Sequence, residues 1–548
     1  REDGGTWSRY VPTAEPGDEY KFILQGEGKA LWRIDPYARE VSSSVGNGVI
    51  HDPAFAWGNE PYRTPTPAEM VIYELHIGTF HRVEAGEPGT FADAIQKLDH
   101  LRRLGVNALQ IMPAMEFAGD ISWGYNPAHI FAIESAYGGP HAFKDFVAAA
   151  HRAGFAVILD VVYNHFGPSD LDLWQFDGWS ENDKGGIYFY NDWRSETPWG
   201  DTRPDYGRHE VRDFIRSNAL FWLEEYHVDG LRFDMTLYIR NVRGNEHDPG
   251  DSLADGWGLM RWINDEVHRQ FPGRITIAED LRNNAAITRD DGAGFGAQWC
   301  AQFVHPVREV LLKQRDEERH MATLAHALRH HYNGDPYQRV IYTESHDEVA
   351  NGKARIPYEI APGDPDHWAA QKRSTLGAAL MLTAPGIPML FQGQEFLEGG
   401  WFRDTVPLDW DEAADFRGIT RLYRDLIRLR LDRAGRSRGL QGRGVNVHRI
   451  DEGLKLIAYH RWDQGGPGDD VVIVLNLHHQ PRHGYRLGFP YRGSWRLRLN
   501  TDWRGYSDDF SDFASHDVDA APGEHDGMRF SAEIAIGPYT ALVFSQDN

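Results

Sequence analysis

The spacing of hydrophobic residues along the chain changes repeatedly between residues 70 and 429. Short apolar runs of strand length alternate with stretches in which apolar residues recur at helical spacing, as Phe91, Leu98 and Leu101 do. Such alternation predicts a parallel sheet whose strands are joined by crossover helices. Eight runs are strand candidates: MVIYELHIG (70–78), NALQIMPAM (107–115), AVILDVVY (156–163), GLRFDM (230–235), RITIAED (274–280), GAQWCAQ (296–302), RVIYTES (339–345) and IPMLFQG (387–393). Because eight strands close a (β/α)8 barrel, we predict an α/β fold with a TIM barrel over residues 67–432.

The pattern changes after Asp432 to short alternating runs separated by Gly, Pro and Asp. This texture predicts an antiparallel β-sandwich over residues 433–548. Residues 1–66 contain a strand-like run, EYKFILQG (19–26), and then a Pro-rich connector. We expect them to be the last part of an N-terminal β-sandwich, followed by a linker.

A long insertion follows the third strand candidate. Residues 164–206 are rich in Gly, Trp, Asp and Asn, and the segment is too long for an ordinary loop between a strand and a helix. We predict an inserted, domain-like excursion over the mouth of the barrel.

Composition excludes some partners. The formal charge is −24, from 57 basic and 81 acidic residues, which opposes the phosphate backbone of a nucleic acid. Aromatic residues make up 12% of the chain and include 18 Trp, many of them in segments that resemble loops. Aromatic rings stack on the apolar faces of sugars, although Trp also fills protein cores. The composition therefore suits a carbohydrate ligand as well as it suits core packing.

Cysteine usage and hydropathy indicate the compartment. The single cysteine, Cys300, cannot form an internal disulfide, and the sequence has neither a charged-then-apolar leader nor 18 consecutive apolar residues. We therefore expect a cytoplasmic protein without a membrane partner. A nucleotide cofactor is not expected either, since no GxGxxG or phosphate-loop sequence follows a strand candidate.

Two carboxylates stand at the ends of neighbouring strand candidates. Asp234 closes GLRFD and Glu279 closes TIAE, so in a barrel they would lie side by side at the catalytic rim. Cleavage of a glycosidic bond with retention needs two carboxyl groups about 5–5.5 Å apart. Arg232 would share a face with Asp234 and keep it ionised, as a nucleophile must be. The apolar setting of Glu279 would keep that acid protonated.

Further polar residues end the third and seventh strand candidates. Asp347 and His346 follow the seventh, and Asp160 and His165 belong to the third. These side chains could hold sugar hydroxyls through charge-assisted hydrogen bonds. Each one alone could equally be a salt bridge or a cap at the end of a strand. Four such clusters at four strand ends favour a shared site.

These segments resemble the four motif regions of glycoside hydrolase family 13, the α-amylase family. The motifs are DVVYNH (160–165), GLRFD (230–234), IAED (277–280) and ESHDE (344–348), in the order found in that family. The resemblance covers roughly residues 67–430 directly. It implies Asp234 as nucleophile, Glu279 as general acid/base and Asp347 as stabiliser of the transition state. It also implies that the sugar next to the scissile bond is bound by Tyr125, Asp160, His165, Arg232 and His346.

The resemblance favours one reaction and leaves others open. SHDEVANGK (345–353) and FQGQEF (391–396) resemble glycogen branching enzymes, whereas DVVYNHFGP (160–168) and IAEDL (277–281) are more similar to maltooligosyltrehalose trehalohydrolases. We expect an enzyme that cuts α-1,4-glucan or maltooligosaccharide and re-attaches the piece through an α-1,6 bond. The alternatives are an α-glucan hydrolase and a non-catalytic glycan-binding protein. The same carboxylates serve transfer and hydrolysis.

Two further features concern binding. Trp401 lies in GGWFRDTVPLDW (399–410), after the eighth strand candidate, where barrel loops line the active site, so it could bind glucan or merely pack in its loop. Asn164 resembles a position that binds calcium in some α-amylases, but no run in the excursion has the spacing of a calcium loop. We therefore expect no metal and no other cofactor.

Overall fold

The computed structural model describes residues 9–25, 30–58 and 62–547. Ten strands lie between Ile72 and Phe391: β5 (Ile72–Leu75), β6 (Ala108–Ile111), β7 (Met115–Phe117), β8 (Pro127–Ile133), β9 (Ala156–Val161), β10 (Gly230–Phe233), β11 (Ile275–Ala278), β12 (Ala297–Trp299), β13 (Arg339–Ile341) and β14 (Ile387–Phe391). All except the β7–β8 hairpin pair in parallel and close a barrel in the order β10-β11-β12-β13-β14-β5-β6-β9. The predicted TIM barrel is confirmed, and each of its strands falls within one of the eight predicted runs.

Helices surround the barrel, and the longer ones bury apolar residues on the side that faces the core. They are α1 (Ile77–Phe80), α2 (Phe91–Ile95), α3 (Leu98–Leu104), α4 (Gly139–Ala153), α5 (His209–Glu225), α6 (Thr236–Arg240), α7 (Ala254–Gln270), α8 (Ala301–Leu312), α9 (Met321–Arg329), α10 (Ile356–Ile360), α11 (Trp368–Thr383), α12 (Glu412–Asp415) and α13 (Arg417–Arg430). None of the helices in the described ranges has the length and apolar character needed to cross a bilayer.

Among the described residues before the barrel there are four short strands: β1 (Glu19–Tyr20), β2 (Phe22–Gln25), β3 (Ala30–Arg33) and β4 (Gly48–Val49). They form two antiparallel pairs, β1 with β4 and β2 with β3. Arg33 attaches this region to the excursion, because its guanidinium donates to the carbonyl oxygens of Gln175 and Phe176 at 2.8 and 2.9 Å. The N-terminal strands therefore lie against the segment that borders the mouth.

One buried arginine links the excursion to the barrel, in addition to apolar residues of the excursion, such as Phe166 and Phe189, that join the barrel core. Arg203 donates to the carbonyl oxygens of Arg194 and Glu196 within the excursion. It also donates to the carbonyl oxygens of Tyr238 and Val242, which lie at and just beyond α6. A buried guanidinium needs such partners, and here the partners are backbone oxygens from both segments. The excursion is thereby fixed beside the helix that follows β10.

The C-terminal strands are β15 (Gly444–Asp451), β16 (Leu456–Trp462), β17 (Val471–Asn476), β18 (Arg482–Phe489), β19 (Gly493–Asn500), β20 (Val518–His525), β21 (Met528–Ile536) and β22 (Thr540–Ser545). They pair antiparallel in the order β15-β16-β17-β22-β19-β20-β21-β18. Alternate residues of β16 face opposite ways: Ile457 and Tyr459 join the barrel core, whereas Leu456 and Ala458 join a second core with β18 and β21. The predicted antiparallel β-sandwich is confirmed.

The seam between the barrel and the C-terminal sheet contains buried polar contacts. Lys372 of α11 forms a 2.7 Å ion pair with Asp502, and neither side chain is exposed. Arg461 of β16 donates to the carbonyl oxygen of Thr383 at 2.6 Å. Charges removed from water are tolerated when they are paired in this way. The two parts are therefore joined by specific contacts as well as by apolar packing.

Candidate active site

The carboxyl ends of the barrel strands bring the predicted polar residues together. Arg232 on β10 lies opposite Asp160 on β9, and Phe233 lies opposite Ala278 on β11. Asp234 and Glu279 come directly after Phe233 and Ala278, so the two carboxyl groups stand on neighbouring strands at the same end of the barrel.

A cavity of about 480 Å³ opens above these residues. Its lining includes five of the predicted residues, namely Tyr125, His165, Asp234, His346 and Asp347. The other predicted polar residues, Asp160, Arg232 and Glu279, lie buried in the barrel end beside them. The remaining lining residues are Ser122, Trp123, Asn126, Trp199, Met235, Asn351 and Asp404.

Arg232 connects three carboxylates. Its Nη1 lies 2.6 Å from Asp160 Oδ2 and 3.1 Å from Asp234 Oδ1, and its Nη2 lies 2.6 Å from Glu279 Oε2. The guanidinium is fully buried and stacks on the ring of Trp299 at 4.3 Å. One cation cannot neutralise three carboxylates in a water-poor site, so the arrangement favours a proton on one of the acids.

Asp234 is held as an acceptor from two sides. Asn164 Nδ2 donates to Asp234 Oδ2 at 2.8 Å, while Arg232 approaches Oδ1. Burial raises the pKa of Asp234 to about 6, and Arg232 and Asn164 oppose that rise. The carboxylate is therefore mainly ionised at neutral pH, as attack on an anomeric carbon requires.

Glu279 has the opposite balance. Burial, followed by the charges of Asp234 and Asp347, raises the pKa of Glu279 to about 8 although Arg232 opposes the rise. The backbone N–H of Met235 donates to Glu279 Oε2 at 3.0 Å because the chain turns there into the left-handed region, with φ 36°. Glu279 is therefore mainly protonated at neutral pH and can act as an acid.

These two pKa values predict a bell-shaped pH profile. As pH falls through about 6, Asp234 gains a proton and activity should be lost; as pH rises through about 8, Glu279 loses its proton and activity should again be lost. The measurement is kcat/KM on amylose from pH 4 to pH 10. A profile that stays flat across this range would contradict the assignment of the two ionisations.

The other predicted residues lie together at one side of the cavity. The ring of Tyr125 stacks on His346 at 5.0 Å, and its hydroxyl donates to Asp160 Oδ2 at 2.7 Å. His165 Nε2 lies 2.8 Å from the carbonyl oxygen of Tyr125. Asp347 is half exposed at the opening. This side of the cavity thus combines an aromatic face with several hydrogen-bonding groups, a combination that suits a sugar ring.

The loop that carries Tyr125 depends on the preceding glycine. Gly124 has φ 92°, and a side chain there would collide with the carbonyl oxygen of Pro113. Glycine tolerates this conformation without steric cost. The close approach brings Tyr125 over Asp160.

The sequence analysis gave no role in this site to Glu74, Asn164 or Trp199. Glu74 on β5 accepts from the Nδ1 of His346 at 2.8 Å. Asn164 bonds Asp234 directly, and Trp199 of the excursion stacks on His165 at 4.8 Å. The sequence does mark Glu74, because it is a charged residue inside the apolar run 70–78. Nothing in the sequence around Trp199 distinguishes it from the other tryptophans.

Trp401 lies outside this cluster. Its side chain is 50% exposed, Arg403 lies over its ring at 5.1 Å, and it is not part of the described cavity lining. Its neighbour Phe402 is buried and packs on Trp123 at 5.2 Å. Phe402 therefore contributes to the packing of this loop, whereas Trp401 keeps half of its surface exposed.

Asn164 does not suit a calcium site, since its side chain is engaged with Asp234 and His165. Within the described ranges, Asp316, His478 and His479 are the only three such side chains close enough to share an ion. Tyr539 and His479 already donate to the carboxylate oxygens of Asp316. That cluster lies at the seam with the C-terminal sheet, away from the barrel mouth.

Comparison with known proteins places the chain in a family. Residues 74–193 match the family model of the α-amylase catalytic domain, and residues 447–547 match that of the α-amylase C-terminal all-beta domain. The chain belongs to glycoside hydrolase family 13, the α-amylase family. Among curated relatives, the 1,4-alpha-glucan branching enzyme GlgB of Photobacterium profundum is 32% identical over 92% of this chain and 72% of its own. GlgB of Rhodospirillum rubrum is 31% identical over 99% of this chain and 75% of its own.

Solved structures agree on the fold. A pullulanase from an Anoxybacillus species, complexed with maltotetraose, has a TM-score of 0.73 at 22% identity and covers 97% of this chain and 79% of its own. The type I pullulanase of Bacillus subtilis, complexed with maltose, has a TM-score of 0.72 at 21% identity and covers 97% of this chain and 77% of its own. At these identities the likeness extends to the architecture alone.

Proposed function

We propose that this chain is a 1,4-α-glucan branching enzyme, which cleaves an α-1,4 bond and transfers the released segment to form an α-1,6 bond. The observation that carries the proposal is the extent of the similarity to GlgB branching enzymes. It runs over 92% and 99% of the chain in two relatives and thus includes the barrel and the C-terminal sheet. The substrate is an α-glucan, and a neutral polysaccharide meets no repulsion from a protein of net charge −24.

In the first step Asp234 Oδ attacks the anomeric carbon of the sugar at the scissile bond. The bond from that carbon to the bridging oxygen breaks, and Glu279 gives its proton to the leaving oxygen. The products are a glycosyl ester on Asp234 and a shortened glucan with a new 4-hydroxyl group. The ionised state of Asp234 and the protonated state of Glu279 at neutral pH support these roles.

In the second step Glu279, now ionised, removes the proton from the 6-hydroxyl of an acceptor glucan. The acceptor oxygen attacks the anomeric carbon, the ester to Asp234 breaks and the carboxylate is restored. Two displacements at the same carbon retain its configuration. Asp347 stands at the opening, where its charge can stabilise the positive character that the sugar acquires in the transition state.

The test follows amylose by proton NMR during incubation with the purified chain. The α-1,4, α-1,6 and reducing-end anomeric signals are integrated in the same sample. Growth of the α-1,6 signal without matching growth of reducing ends is the expected result. Growth of reducing ends alone would replace the proposal with hydrolysis, and a repeat with trehalose-capped maltooligosaccharide would then separate release of trehalose from amylase action.

Trp401 is proposed to bind a more distant part of the glucan. Replacement of Trp401 by alanine should weaken the affinity for maltooligosaccharides by about fivefold, the loss expected for one aromatic stacking contact. Isothermal titration calorimetry measures the change. Trp503→Ala is the matched control, because Trp503 is 43% exposed on the C-terminal part of the chain. Equal affinity in Trp401→Ala and the unmodified protein would reduce Trp401 to a residue of the loop surface.

A further inference from the structure

Glu74 is a buried carboxylate in the first barrel strand. It lies within β5 between Tyr73 and Leu75, and none of its surface is exposed. Its strand neighbours across the sheet are Gln110 on β6 and Phe391 on β14. A carboxylate in such a position is costly unless hydrogen bonds compensate for lost water, so its partners show what it does.

Two of those partners are groups of one residue at the barrel mouth. Glu74 Oε2 accepts from the backbone N–H of His346 at 3.1 Å, and Glu74 Oε1 lies 2.8 Å from His346 Nδ1. The third donor is Gln110 Nε2, at 3.2 Å from Oε1. Glu74 therefore binds both the main chain and the ring of His346, which follows the seventh barrel strand.

This contact determines which ring nitrogen of His346 points toward the cavity. With Nδ1–H directed at Glu74, the second ring nitrogen, Nε2, is left for the cavity side, where it lies 3.8 Å from Asp347 Oδ1. Tyr125 covers one face of the ring at 5.0 Å. The ring is thus fixed at its edge by the carboxylate and over its face by an aromatic side chain.

Charge around the ring comes from several elements. Burial lowers the pKa of His346, but the charge of Glu74 and then that of Asp347 raise it to about 9. Arg232 opposes that rise, and the neighbouring His76 has its own pKa lowered to about 4, chiefly by burial. The titratable and charged groups that face His346 are Glu74, His76, Tyr125, Asp160, Arg232 and Asp347. Negative charge prevails among them.

We propose that Glu74 is a positioning residue for the glycosyl transfer: it orients His346 and holds its ring as a cation, so that Nε2–H donates to a hydroxyl oxygen of the sugar at the scissile bond. The role rests on the proposed function. A neutral imidazole held by Glu74 in the same way would present Nε2 as an acceptor instead of a donor. Glu74 therefore determines whether Nε2 of His346 donates a hydrogen bond to the sugar or accepts one from it.

The first experiment replaces Glu74 by glutamine, which keeps the size and removes the charge. Histidine side-chain NMR follows the titration of His346, assigned by the signal missing in His346→Gln. We expect the titration of His346 to move down by roughly three to four pH units from its pKa of about 9, and kcat/KM at pH 7 to fall about ten- to hundredfold with the protonated fraction of the ring. Relative to the unmodified protein at each pH, activity should recover toward pH 5, where the ring regains its proton. Unchanged titration of His346 would overturn the proposal.

Two variants separate this role from simple stability. Glu74→Asp keeps the charge and should move the titration of His346 less than Glu74→Gln does. Asp229→Asn disrupts another buried carboxylate–histidine pair, formed with His151 at 2.7 Å at the other end of the barrel. We expect Asp229→Asn to lower Tm without moving the titration of His346, and an equal movement would refute a specific role for Glu74. If Glu74→Gln does not fold, Glu74→Asp decides the matter by the same titration, and a titration equal to that of the unmodified protein, with activity lost, would count against the proposal.

The titration also keeps the two proposals apart. It needs no glucan, so it reports on Glu74 whether the reaction proves to be branching or hydrolysis. Failure of the amylose experiment would revise the reaction and leave the link between Glu74 and His346 standing. Failure of the titration would remove that link and leave the reaction untouched.

Discussion

Asp234→Asn is expected to lower kcat on amylose by about 10⁴-fold or more, because the amide cannot form the glycosyl ester on which both steps depend. The change is nearly isosteric and keeps an acceptor for Asn164, so the fold should survive. The measurement is the rate of appearance of α-1,6 and reducing-end signals, together with the affinity for maltooligosaccharide.

The matched control is Asp183→Asn, which makes the same chemical change at an exposed acid of the excursion, where φ is 55° and asparagine is well tolerated. Activity of this variant should equal that of the unmodified protein. Affinity for maltooligosaccharide should change little in Asp234→Asn. An Asp234→Asn variant that still branches amylose at the full rate would remove Asp234 from its proposed role.

Glu279→Gln is expected to give the second large loss, about 10²–10⁴-fold on amylose, because the leaving oxygen no longer receives a proton. The loss in the first step should be far smaller with α-glucosyl fluoride, since fluoride leaves without protonation. The second step still lacks its base. A burst of fluoride followed by slow turnover, with glycosylated protein seen by intact mass spectrometry, is therefore the expected result.

The comparison between the two donors is the decisive part of this prediction. Equal loss of fluoride release and of amylose cleavage would show that Glu279 contributes something other than a proton. Gln270→Glu serves as a control for the reverse amide-to-acid change at an exposed position on α7, and should leave both rates unaltered.

The barrel could be predicted from hydrophobic period because each of its strands is a short apolar run bounded by polar residues. β9 is an example, with AVILDV buried along its whole length. The ends of the strands could be predicted less exactly. Charged residues such as Glu279 follow the strands directly at the rim, so the predicted runs extend beyond the strands. The helical spacing of Phe91, Leu98 and Leu101 predicts one crossover helix, but the structure divides it, with α2 ending at Ile95 and α3 beginning at Leu98.

The site could be predicted where residues carry their chemistry at the ends of strands. Asp234 and Glu279 are of this kind, because strand order alone makes them neighbours. Glu74 and Trp199 are different, since each acts on a residue distant in the sequence: Glu74 on His346, and Trp199 on His165. Such pairings arise from barrel closure and from the path of the excursion. They cannot be predicted from the pattern of residues within a single segment.

The buried ammonium of Lys372 limits how this protein can be shortened or recombined. Its counter-ion, Asp502, belongs to the C-terminal sheet, and neither group reaches water. A fragment ending near residue 432 would uncover the cation, because Asp502, Thr540 and Phe510 all lie against it. A foreign C-terminal module that covered Lys372 without a carboxylate would instead leave a buried charge unpaired, at a cost of about 3–5 kcal/mol. That cost is a large share of the stability of an ordinary domain. A homologous C-terminal module could be exchanged for this one only if it supplied a carboxylate at the same point.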